Sequence, residues 1–369
     1  MKEMYDVAII GGGVIGASIA YQLVKRGMKV VLLEKGRVVS QASSAAAGML
    51  AAQAEFEEET GSLFQLAVQS RELFPQISSE LKEASGIDIG LVQQGMLKVA
   101  LTEGEAQQLQ NIIRIQQAAG QSAEWLSASE VKEKEPNLSQ HVLGAMYIPG
   151  DGQVIAPELS LGFVKSAATL GAVIKEFSEV KSLLIEDGRV KGVVTREETI
   201  YAGKVVLAAG AWSDELLQEI GINLAVYPVK GECFSVLTHQ SLVTSTIFSH
   251  GCYLVPKRGG RLVVGATMVE HTYDKRVSVE GMSLLLERAK RLLPTISQAE
   301  WEKGWAGTRP QTKDGLPYLG EHPDYPGVFV AAGHYRNGIL LSPITGVLIA
   351  DLIEGNSSTI DLQPFRIMR

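Results

Sequence analysis

Cysteine is scarce in this sequence, and positive charge is nowhere concentrated. The chain has 369 residues but only two cysteines, Cys233 and Cys252, which are too few for a disulfide framework. No set of cysteines and histidines has the spacing of a metal site, so we expect no metal. The formal net charge is -7 and no run of lysine and arginine occurs, which argues against nucleic acid or an anionic membrane as the main partner. We expect a reducing, cytoplasmic location.

The sequence also lacks an uninterrupted apolar run that is long enough to cross a membrane. The apolar stretch at residues 7–19 is broken by glycines and has neither a basic region before it nor a cleavage site after it. We therefore predict neither a signal peptide nor a membrane span there, and no stable membrane association. With 46% hydrophobic and 20% charged residues, the chain has the composition of a soluble globular protein of about two domains.

Three short apolar segments share one design. YDVAIIGGG, GKVVLAAG and GVFVAAG begin at residues 5, 203 and 327, and each is a β-rich run that ends in small residues. Buried parallel strands end in this way where a ligand approaches their carboxyl ends. The segments are far apart along the chain, so we expect a cofactor-binding domain that is assembled from several pieces of sequence.

The chain between the second and third of these segments has a different pattern of residues. The segment CYLVPKRGGRLVVGATM, which begins at residue 252, contains two strand-like runs around the turn KRGG and predicts an antiparallel hairpin. An amphipathic helix is expected to follow and to end at Pro294. We predict an α/β protein with mixed α+β character, in which residues 1–85, 146–220 and 305–369 form a Rossmann-like cofactor domain and residues 86–145 and 221–304 form a substrate domain.

The strongest local motif lies at the N-terminus. Gly11, Gly13 and Gly16 form GxGxxG between a predicted strand and a predicted helix, and a second predicted strand ends at Glu34. The glycines allow a tight turn, the approach of a pyrophosphate to the helix N-terminus and close packing of helix on strand. A carboxylate at this position can accept hydrogen bonds from ribose hydroxyls and disfavours NADP. The alternative is a glycine-rich turn followed by a solvated glutamate.

Two further segments favour FAD over NAD. Residues 40–48 are nearly all small, as a long flavin cofactor would require, although a flexible loop or an alanine-rich helix would have the same composition. The segment GHYRNGILL at residues 333–341 would present the backbone N–H groups of Gly338, Ile339 and Leu340 at the start of the last helix. A helix N-terminus stabilises negative charge, such as the charge that a reduced flavin accumulates at its N1/C2 edge.

Seven segments together resemble the FAD-dependent D-amino-acid oxidase family, and in particular its bacterial glycine oxidases of thiamine biosynthesis. They are IIGGGVIGASIA, SSAAAGML, VVLAAGAWS, PVKGEC, RLVVGATM, GTRPQTKDGLPYLG and GHYRNGILLSP. The resemblance runs from about Tyr5 to Arg366. It implies an FAD domain in several segments, a mostly antiparallel substrate domain, and oxidation of a small amino acid to its imine with oxygen reduced to hydrogen peroxide. It also implies a homotetramer and a possible transfer of the imine to a thiazole synthase.

The resemblance assigns roles to individual residues. It implies a substrate carboxylate bound by Arg309, an active-site tyrosine at Tyr253, a second arginine at Arg336 and a pocket residue at Met268. The FAD contacts fall on Gly11, Gly13, Val14, Ile15, Gly16, Glu34, Lys35, Ala42, Ser43, Ala47, Gly48, Met49, Val180, His334, Tyr335, Arg336, Asn337, Gly338, Ile339 and Leu340.

The chain departs from some relatives of this family at two places. A histidine found two residues before the tyrosine in some relatives is replaced by Gly251, with His250 beside it. Relatives with covalent flavin use a cysteine in the C-terminal third, and this chain has none after Cys252, so we expect non-covalent FAD. From the residues alone, either arginine could instead pair with a carboxylate such as Asp314, and Tyr253 could belong to the core.

Three kinds of function remain open at this point. The first is an amino-acid oxidase that acts on glycine, sarcosine or small D-amino acids. The second is a flavin dehydrogenase that passes its electrons to a quinone or a partner protein. The third is a flavin-binding subunit or an RNA-modifying flavoprotein, which the absence of a basic surface and the presence of Arg309 disfavour.

Overall fold

The computed structural model of the protein describes residues 4–56, 61–218, 224–358 and 360–369. Its strands are β1 (Met4–Ile10), β2 (Val30–Leu33), β3 (Met49–Leu50), β4 (Met96–Ala100), β5 (Glu124–Ser127), β6 (Gly144–Ile148), β7 (Gly152–Gln153), β8 (Val173–Lys175), β9 (Val180–Glu186), β10 (Arg189–Thr195), β11 (Thr199–Leu207), β12 (Val226–Leu237), β13 (Thr246–Ser249), β14 (Cys252–Lys257), β15 (Arg261–Gly265), β16 (Val269–Glu270), β17 (Glu300–Thr312), β18 (Tyr318–Glu321) and β19 (Val328–Ala332). Its α-helices are α1 (Val14–Lys25), α2 (Ala42–Ala45), α3 (Ser62–Glu72), α4 (Phe74–Ser85), α5 (Glu103–Ala118), α6 (Ala128–Lys134), α7 (Ala156–Thr169), α8 (Ser213–Gln218), α9 (Val279–Leu292) and α10 (Gly338–Glu354).

The first large sheet has a parallel centre. Its strands lie in the order β18-β19-β11-β1-β2-β8, and β10 and β9 extend it from β11. Strands β19, β11, β1, β2 and β8 run parallel to one another. Strand β18 is antiparallel to β19, β10 is antiparallel to β11, and β9 is antiparallel to β10. The three segments that were predicted to end together form β1, β11 and β19, which are direct neighbours. The prediction of a parallel cofactor-domain sheet is therefore confirmed.

Helices α1, α7 and α10 pack together on one face of this sheet, over the largest apolar core. Helix α10 approaches α1 closely because Gly346 has no side chain, and a Cβ there would lie 2.4 Å from the Ser18 hydroxyl oxygen. The Ser18 hydroxyl in turn donates to the carbonyl of Ser342 at 2.7 Å. The helical segment Tyr335–Glu354 is long and apolar enough to cross a membrane, but 67% of its most apolar stretch is buried inside the protein. It is a core helix here.

The second large sheet is mostly antiparallel, as the resemblance implied. Its strands lie in the order β16-β12-β15-β14-β13-β4-β6-β5, with β17 paired to the other edge of β12. Only the β13–β4 pair among its described pairs is parallel. The predicted hairpin is formed by β14 and β15, and the predicted amphipathic helix is α9, which is capped by Ser278. Burial of the apolar face of α9 against β12, β14 and β15 explains its periodicity.

Two of the predicted domain boundaries divide a strand. The boundaries at 145/146 and 304/305 fall inside β6 and β17, and both strands pair within the second sheet. The boundary at 220/221 lies outside the described residues. A division that keeps each strand with its sheet would place the first two boundaries at the ends of those strands, and we retain the two-domain division in that form as a proposal.

A buried polar network connects the chain after β3 to helix α3 and to the loop after β6. The Asp151 carboxylate accepts hydrogen bonds from the backbone N–H groups of Gln53 and Ala54 and from the Arg71 guanidinium, the last at 2.7 Å. Asp151 is fully buried and Arg71 is 8% exposed. A buried pair of this kind is costly to break, because removal of one partner leaves an uncompensated charge in the interior.

We expect Asp151→Asn to lower the free energy of unfolding by about 3 to 5 kcal/mol, because the Arg71 charge would then be buried without a counter-charge. Urea denaturation would measure this change. The matched control is Asp88→Asn, which removes the charge from an exposed pair with Arg258 at 3.2 Å and should change the stability by less than about 1 kcal/mol. Equal effects of the two substitutions would contradict a structural role for the buried pair.

Candidate active site

One cleft lies at the carboxyl ends of β1, β11 and β19 and continues to the face of the second sheet. Nearly all residues that the sequence analysis assigned to the cofactor or the substrate line it. They are Gly11, Gly13, Val14, Ile15, Glu34, Lys35, Ala42, Ser43, Ala47, Gly48, Met49, Val180, Tyr253, Arg309, His334, Tyr335, Arg336, Asn337, Gly338 and Ile339. Long segments of chain separate these residues, and the two sheets bring them together.

The glycine-rich turn after β1 has the close contacts that its motif predicts. Gly11 has a φ of +111°, and a Cβ there would lie 2.4 Å from the carbonyl oxygen of Ala208. A Cβ on Gly16 would lie 2.0 Å from the carbonyl oxygen of Gly11. Helix α1 has no acidic residue in its first turn, so no side chain of this turn offsets the positive end of its dipole. This end of the cleft therefore suits a phosphate group.

Glu34 is held in place by backbone groups. One carboxylate oxygen accepts from the N–H of Gly12 at 2.8 Å and the other accepts from the N–H of Gly36 at 2.9 Å. The residue is 9% exposed. A carboxylate oxygen can accept more than one hydrogen bond, so Glu34 retains acceptor capacity toward the cleft. Next to it, the Lys35 ammonium lies over the Trp212 ring at 3.8 Å from the ring centroid.

The predicted small-residue segment lies between the two sheets. It forms the short helix α2 and then the turn at Gly48, where φ is +82° and a Cβ would lie 2.1 Å from the carbonyl oxygen of Val154. From the second sheet, a Cβ on Gly307 would lie 2.5 Å from the Cβ of Ala45. The Trp305 indole N–H donates to the carbonyl of Ala45 at 2.9 Å. Any larger residue along this line would separate the sheets, which explains the run of alanines and serines.

The last helix begins at the cleft. The turn Tyr335–Asn337 leads into α10, which has no acidic residue in its first turn. His334 is buried beneath this turn, and its Nε2 atom lies 3.1 Å from the Thr345 hydroxyl. Burial lowers the pKa of His334 to about 3, so this imidazole is neutral at physiological pH. The first turn of α10 thus supplies the positive end of a second helix dipole.

Arg309 is the main charged residue that the second sheet contributes to the cleft. It lies on β17 opposite Val229 of β12, and its guanidinium rests on the backbone of Gly231. A Cβ on Gly231 would lie 2.2 Å from an Arg309 nitrogen. The guanidinium donates a single protein hydrogen bond, to the carbonyl of Thr267 at 3.3 Å, and no ion pair involves it among the residues that the structure describes. Most of its donors are thus available to a ligand.

The carbonyl that receives this bond is itself fixed. The Thr267 hydroxyl accepts from the backbone N–H of Glu232 at 2.9 Å and donates to the Glu232 carboxylate at 3.1 Å. Glu232 is 2% exposed and pairs with Lys230 at 3.1 Å. Its carboxylate also accepts from the N–H of Ser278 at the start of α9. Because Lys230 already neutralises Glu232, the charge of Arg309 stays free for a ligand.

Tyr253 reaches the cleft from β14. Its side chain is buried, its hydroxyl lies 3.4 Å from the Cys233 thiol, and a Cβ on Gly265 would meet that hydroxyl at 2.3 Å. Burial raises the pKa of Tyr253 well above its ordinary value, so the phenol stays protonated and can donate a hydrogen bond. Burial also raises the pKa of Cys233, so its thiol is not an activated nucleophile.

Arg336 differs from Arg309 because it has a partner. Its guanidinium donates to the Glu55 carboxylate at 3.1 Å and lies 5.9 Å from the centroid of the Phe248 ring. The Glu55 charge raises the pKa of Arg336 above its ordinary value. Pairing with Asp314, which the sequence left open for both arginines, occurs in neither case, because Asp314 binds Arg369.

Three of the predicted site residues do not line the cleft. Gly16 and Leu340 lie behind their helix N-termini, where Gly16 is needed for packing and Leu340 is buried. Met268 is 61% exposed, because β15 ends at Gly265 and the chain turns outward after it. Its thioether sulfur accepts from the Tyr335 hydroxyl at 3.2 Å, so Met268 lies at the rim.

The cleft also contains residues that the sequence analysis did not assign. They include Glu55, Ser178, Trp212, Gly231, Cys233, Gly307 and Thr308, and residues at the ends of β11 and β19. The small residues after β11 could be recognised from the sequence, because they end one of the three predicted parallel strands. The role of Gly231 could not be recognised, because it depends on which residue of β17 lies beside it.

Residues 6–352 match the family described as DAO, FAD dependent oxidoreductase. The chain belongs to this family. It is 51% identical over 371 residues to a glycine oxidase of Geobacillus kaustophilus, and the match spans 100% of this chain and 98% of that protein. The crystal structure described as glycine oxidase from Geobacillus kaustophilus superposes with a TM-score of 0.97 at 50% identity, covering 100% and 99% of the two chains.

A further relative is longer than this chain. The bifunctional protein ThiO/ThiG of Nostoc sp. is 36% identical over 369 residues, which span 99% of this chain but 55% of that protein. The family membership establishes FAD as the cofactor and an oxidoreductase as the class of enzyme, as the sequence analysis expected.

The residues of the cleft fit this cofactor. Two helix N-termini without acidic residues and the bare backbone at Gly11 and Gly48 form a cradle for a long anionic molecule. Glu34 offers acceptors of the kind that ribose hydroxyls need. The Thr308 hydroxyl is buried and has no hydrogen-bond partner within the described part of the chain, although it lines the cleft. A group bound there would satisfy it.

We expect Gly231→Ala to weaken the binding of a small carboxylate such as acetate by about tenfold or more, because a methyl group at 2.2 Å would displace the Arg309 guanidinium and cost a charge-assisted hydrogen bond of about 1.5 to 3 kcal/mol. Titration of the flavin absorbance would measure the affinity. The control is Gly304→Ala on β17, where a Cβ would meet its nearest atoms at an ordinary 3.4 Å. Unchanged affinity in Gly231→Ala would mean that Arg309 does not hold the anion.

Proposed function

We propose that this protein oxidises glycine to its imine, with FAD as the electron acceptor and oxygen as the oxidant of the reduced flavin. The observation that carries the proposal is Arg309, a guanidinium with no carboxylate partner among the described residues, held flat on Gly231 in the cleft that fits FAD. A guanidinium is the side chain that best binds a carboxylate. The relative from Geobacillus kaustophilus, which is named glycine oxidase, supports glycine as the substrate.

FAD, Arg309 and Tyr253 would each have a separate role in the reaction. When bound, FAD supplies the acceptor for a hydride equivalent from the substrate Cα. Arg309 would bind the substrate carboxylate through two of its N–H groups and so orient the Cα. Tyr253, which stays protonated, would donate a hydrogen bond toward the same carboxylate. A base is not required if the substrate amine is bound in its neutral form.

The overall reaction would be that of an oxidase. Glycine, oxygen and water would give glyoxylate, ammonia and hydrogen peroxide when the imine is hydrolysed. We also propose that the imine can be transferred to a thiazole synthase for thiamine biosynthesis. The support is the relative named bifunctional protein ThiO/ThiG, in which a similar chain is joined to a further part. Sarcosine and small D-amino acids are expected as additional substrates.

Five further expectations belong to the proposal. The FAD should be bound non-covalently, since no cysteine follows Cys252. The enzyme should be a cytoplasmic homotetramer without stable membrane association, and it should bind no nucleic acid, in keeping with a net charge of -7. These expectations rest on the resemblance and the composition. A dehydrogenase that passes electrons to a quinone or a partner protein is the alternative to the oxidase.

We expect air-saturated enzyme to release hydrogen peroxide, one equivalent per glycine consumed, and to give up intact FAD when it is denatured with acid. A coupled peroxidase assay and absorbance of the supernatant would measure the two. Glycine consumption without peroxide, restored by an artificial quinone, would support the dehydrogenase. No reduction of the flavin by glycine in the absence of oxygen would contradict the proposed substrate.

We expect Arg309→Ala to lower kcat/KM for glycine by about 100-fold or more, because it removes two charge-assisted hydrogen bonds of about 1.5 to 3 kcal/mol each. FAD content and Tm should barely change, since Arg309 makes a single hydrogen bond to the part of the protein that the structure describes. Arg309→Lys should restore little activity, because an ammonium cannot reproduce the planar pair of donors. Steady-state kinetics would decide, and lost stability with unchanged glycine kinetics would make this arginine structural.

A further inference from the structure

The cleft contains two arginines whose charges are balanced differently. Arg309 has no ion-pair partner within the described ranges, whereas Arg336 is paired with Glu55. We propose that Glu55 determines specificity: by neutralising Arg336 it leaves one free guanidinium and so restricts the enzyme to substrates with a single carboxylate. This inference rests on the proposed function, in which Arg309 binds the carboxylate of glycine.

Buried groups hold the backbone that carries Glu55. The N–H groups of Gln53 and Ala54, directly before it, donate to the Asp151 carboxylate at 3.1 and 2.9 Å. The Lys98 ammonium donates to the carbonyl of Ala54 at 2.9 Å. The Glu55 side chain itself is only 9% exposed. Its position is therefore set by the interior of the protein, unlike the position of a carboxylate in an exposed surface ion pair.

Arg336 is fixed from the other side of the cleft. It belongs to the turn that leads into α10, and its guanidinium lies near the Phe248 ring, which is itself buried. The Arg336 side chain is 32% exposed and lines the cleft together with Glu55. An arginine does not lose its proton in a protein, so the charge of Arg336 can be balanced only by a negatively charged group, and Glu55 is the one that pairs with it among the described residues.

The charge balance makes this pair selective. Glycine brings one carboxylate, which Arg309 would neutralise. A substrate with a second carboxylate would meet the neutral Arg336–Glu55 pair, and the Glu55 charge would repel it. Taking an unpaired carboxylate out of water is costly, so a dianionic substrate would bind poorly. When the charge of Glu55 is removed, Arg336 can form a charge-assisted hydrogen bond to the second carboxylate.

The test compares glycine with N-(carboxymethyl)glycine, which is glycine with one added carboxymethyl group on nitrogen. Its oxidation would consume one oxygen and one water and would give glyoxylate, glycine and hydrogen peroxide. Wild type, Glu55→Gln, Glu55→Asp and the double variant Glu55→Gln with Arg336→Gln would be compared by kcat/KM. A second readout needs no turnover: titration of the flavin absorbance with acetate, which has one carboxylate, and with succinate, which has two.

We expect Glu55→Gln to raise the ratio of N-(carboxymethyl)glycine to glycine efficiency by about tenfold or more, and the ratio of succinate to acetate affinity likewise. Glu55→Asp keeps the charge and should stay near the wild-type ratios. The double variant should return to them, because the freed guanidinium is gone. FAD content and Tm would verify that each variant is folded.

Each outcome can be attributed. Unchanged ratios in Glu55→Gln, or raised ratios that persist in the double variant, would overturn the role of Glu55 while glycine oxidation by the wild type stands. If the wild type does not oxidise glycine, the proposed function fails, and the titrations with acetate and succinate still test the charge balance of the cleft. If Glu55→Gln does not retain FAD, Glu55→Ala, which also removes the charge, takes its place in the same comparison, and an unchanged ratio of succinate to acetate affinity in Glu55→Ala overturns the role of Glu55.

Discussion

The active-site cleft depends on close approaches that only glycine permits. At four glycines that line the cleft, Gly11, Gly48, Gly231 and Gly307, an added Cβ would lie 2.1 to 2.5 Å from a neighbouring backbone or side-chain atom. Such distances are far shorter than van der Waals contact, so any side chain would force the elements apart. The space that a flavin and a small amino acid need is obtained by the omission of side chains at these positions.

This constraint connects the cofactor half of the cleft to the substrate half. Gly307 allows β17 to pack on the Ala45 side chain, and Arg309 follows two residues later on the same strand. Because alternate residues of a strand point to the same face, the packing of Gly307 against the cofactor segment also directs Arg309 to that face. Arg309 is thus positioned by the same contact that joins the sheets.

The sequence predicted the features that are local or repeated, and it did not predict those that depend on register. The ends of β1, β11 and β19 were recognisable because each carries its own pattern of apolar and small residues. The antiparallel hairpin was recognisable from the turn KRGG. By contrast, the need for glycine at 231 arises from the cross-strand neighbour Arg309, and the Glu55–Arg336 pair joins residues that are 281 positions apart. The position of Met268 at the rim could not be predicted for a related reason, since only the backbone after Gly265 shows that the chain turns outward.

Nearby carboxylates distinguish three cationic residues that look alike in the sequence. Lys230, Arg309 and Arg336 are all cationic and all lie near the cleft, but Lys230 is neutralised by Glu232 and Arg336 by Glu55. Of these three, Arg309 alone has no ion-pair partner among the residues that the structure describes. In a partly buried site such a charge is unfavourable until an anion binds, so an anion that binds Arg309 would gain free energy from relief of this imbalance. The chemistry of the cleft therefore depends on the positions of its arginines and equally on which cationic side chains are already paired with a carboxylate.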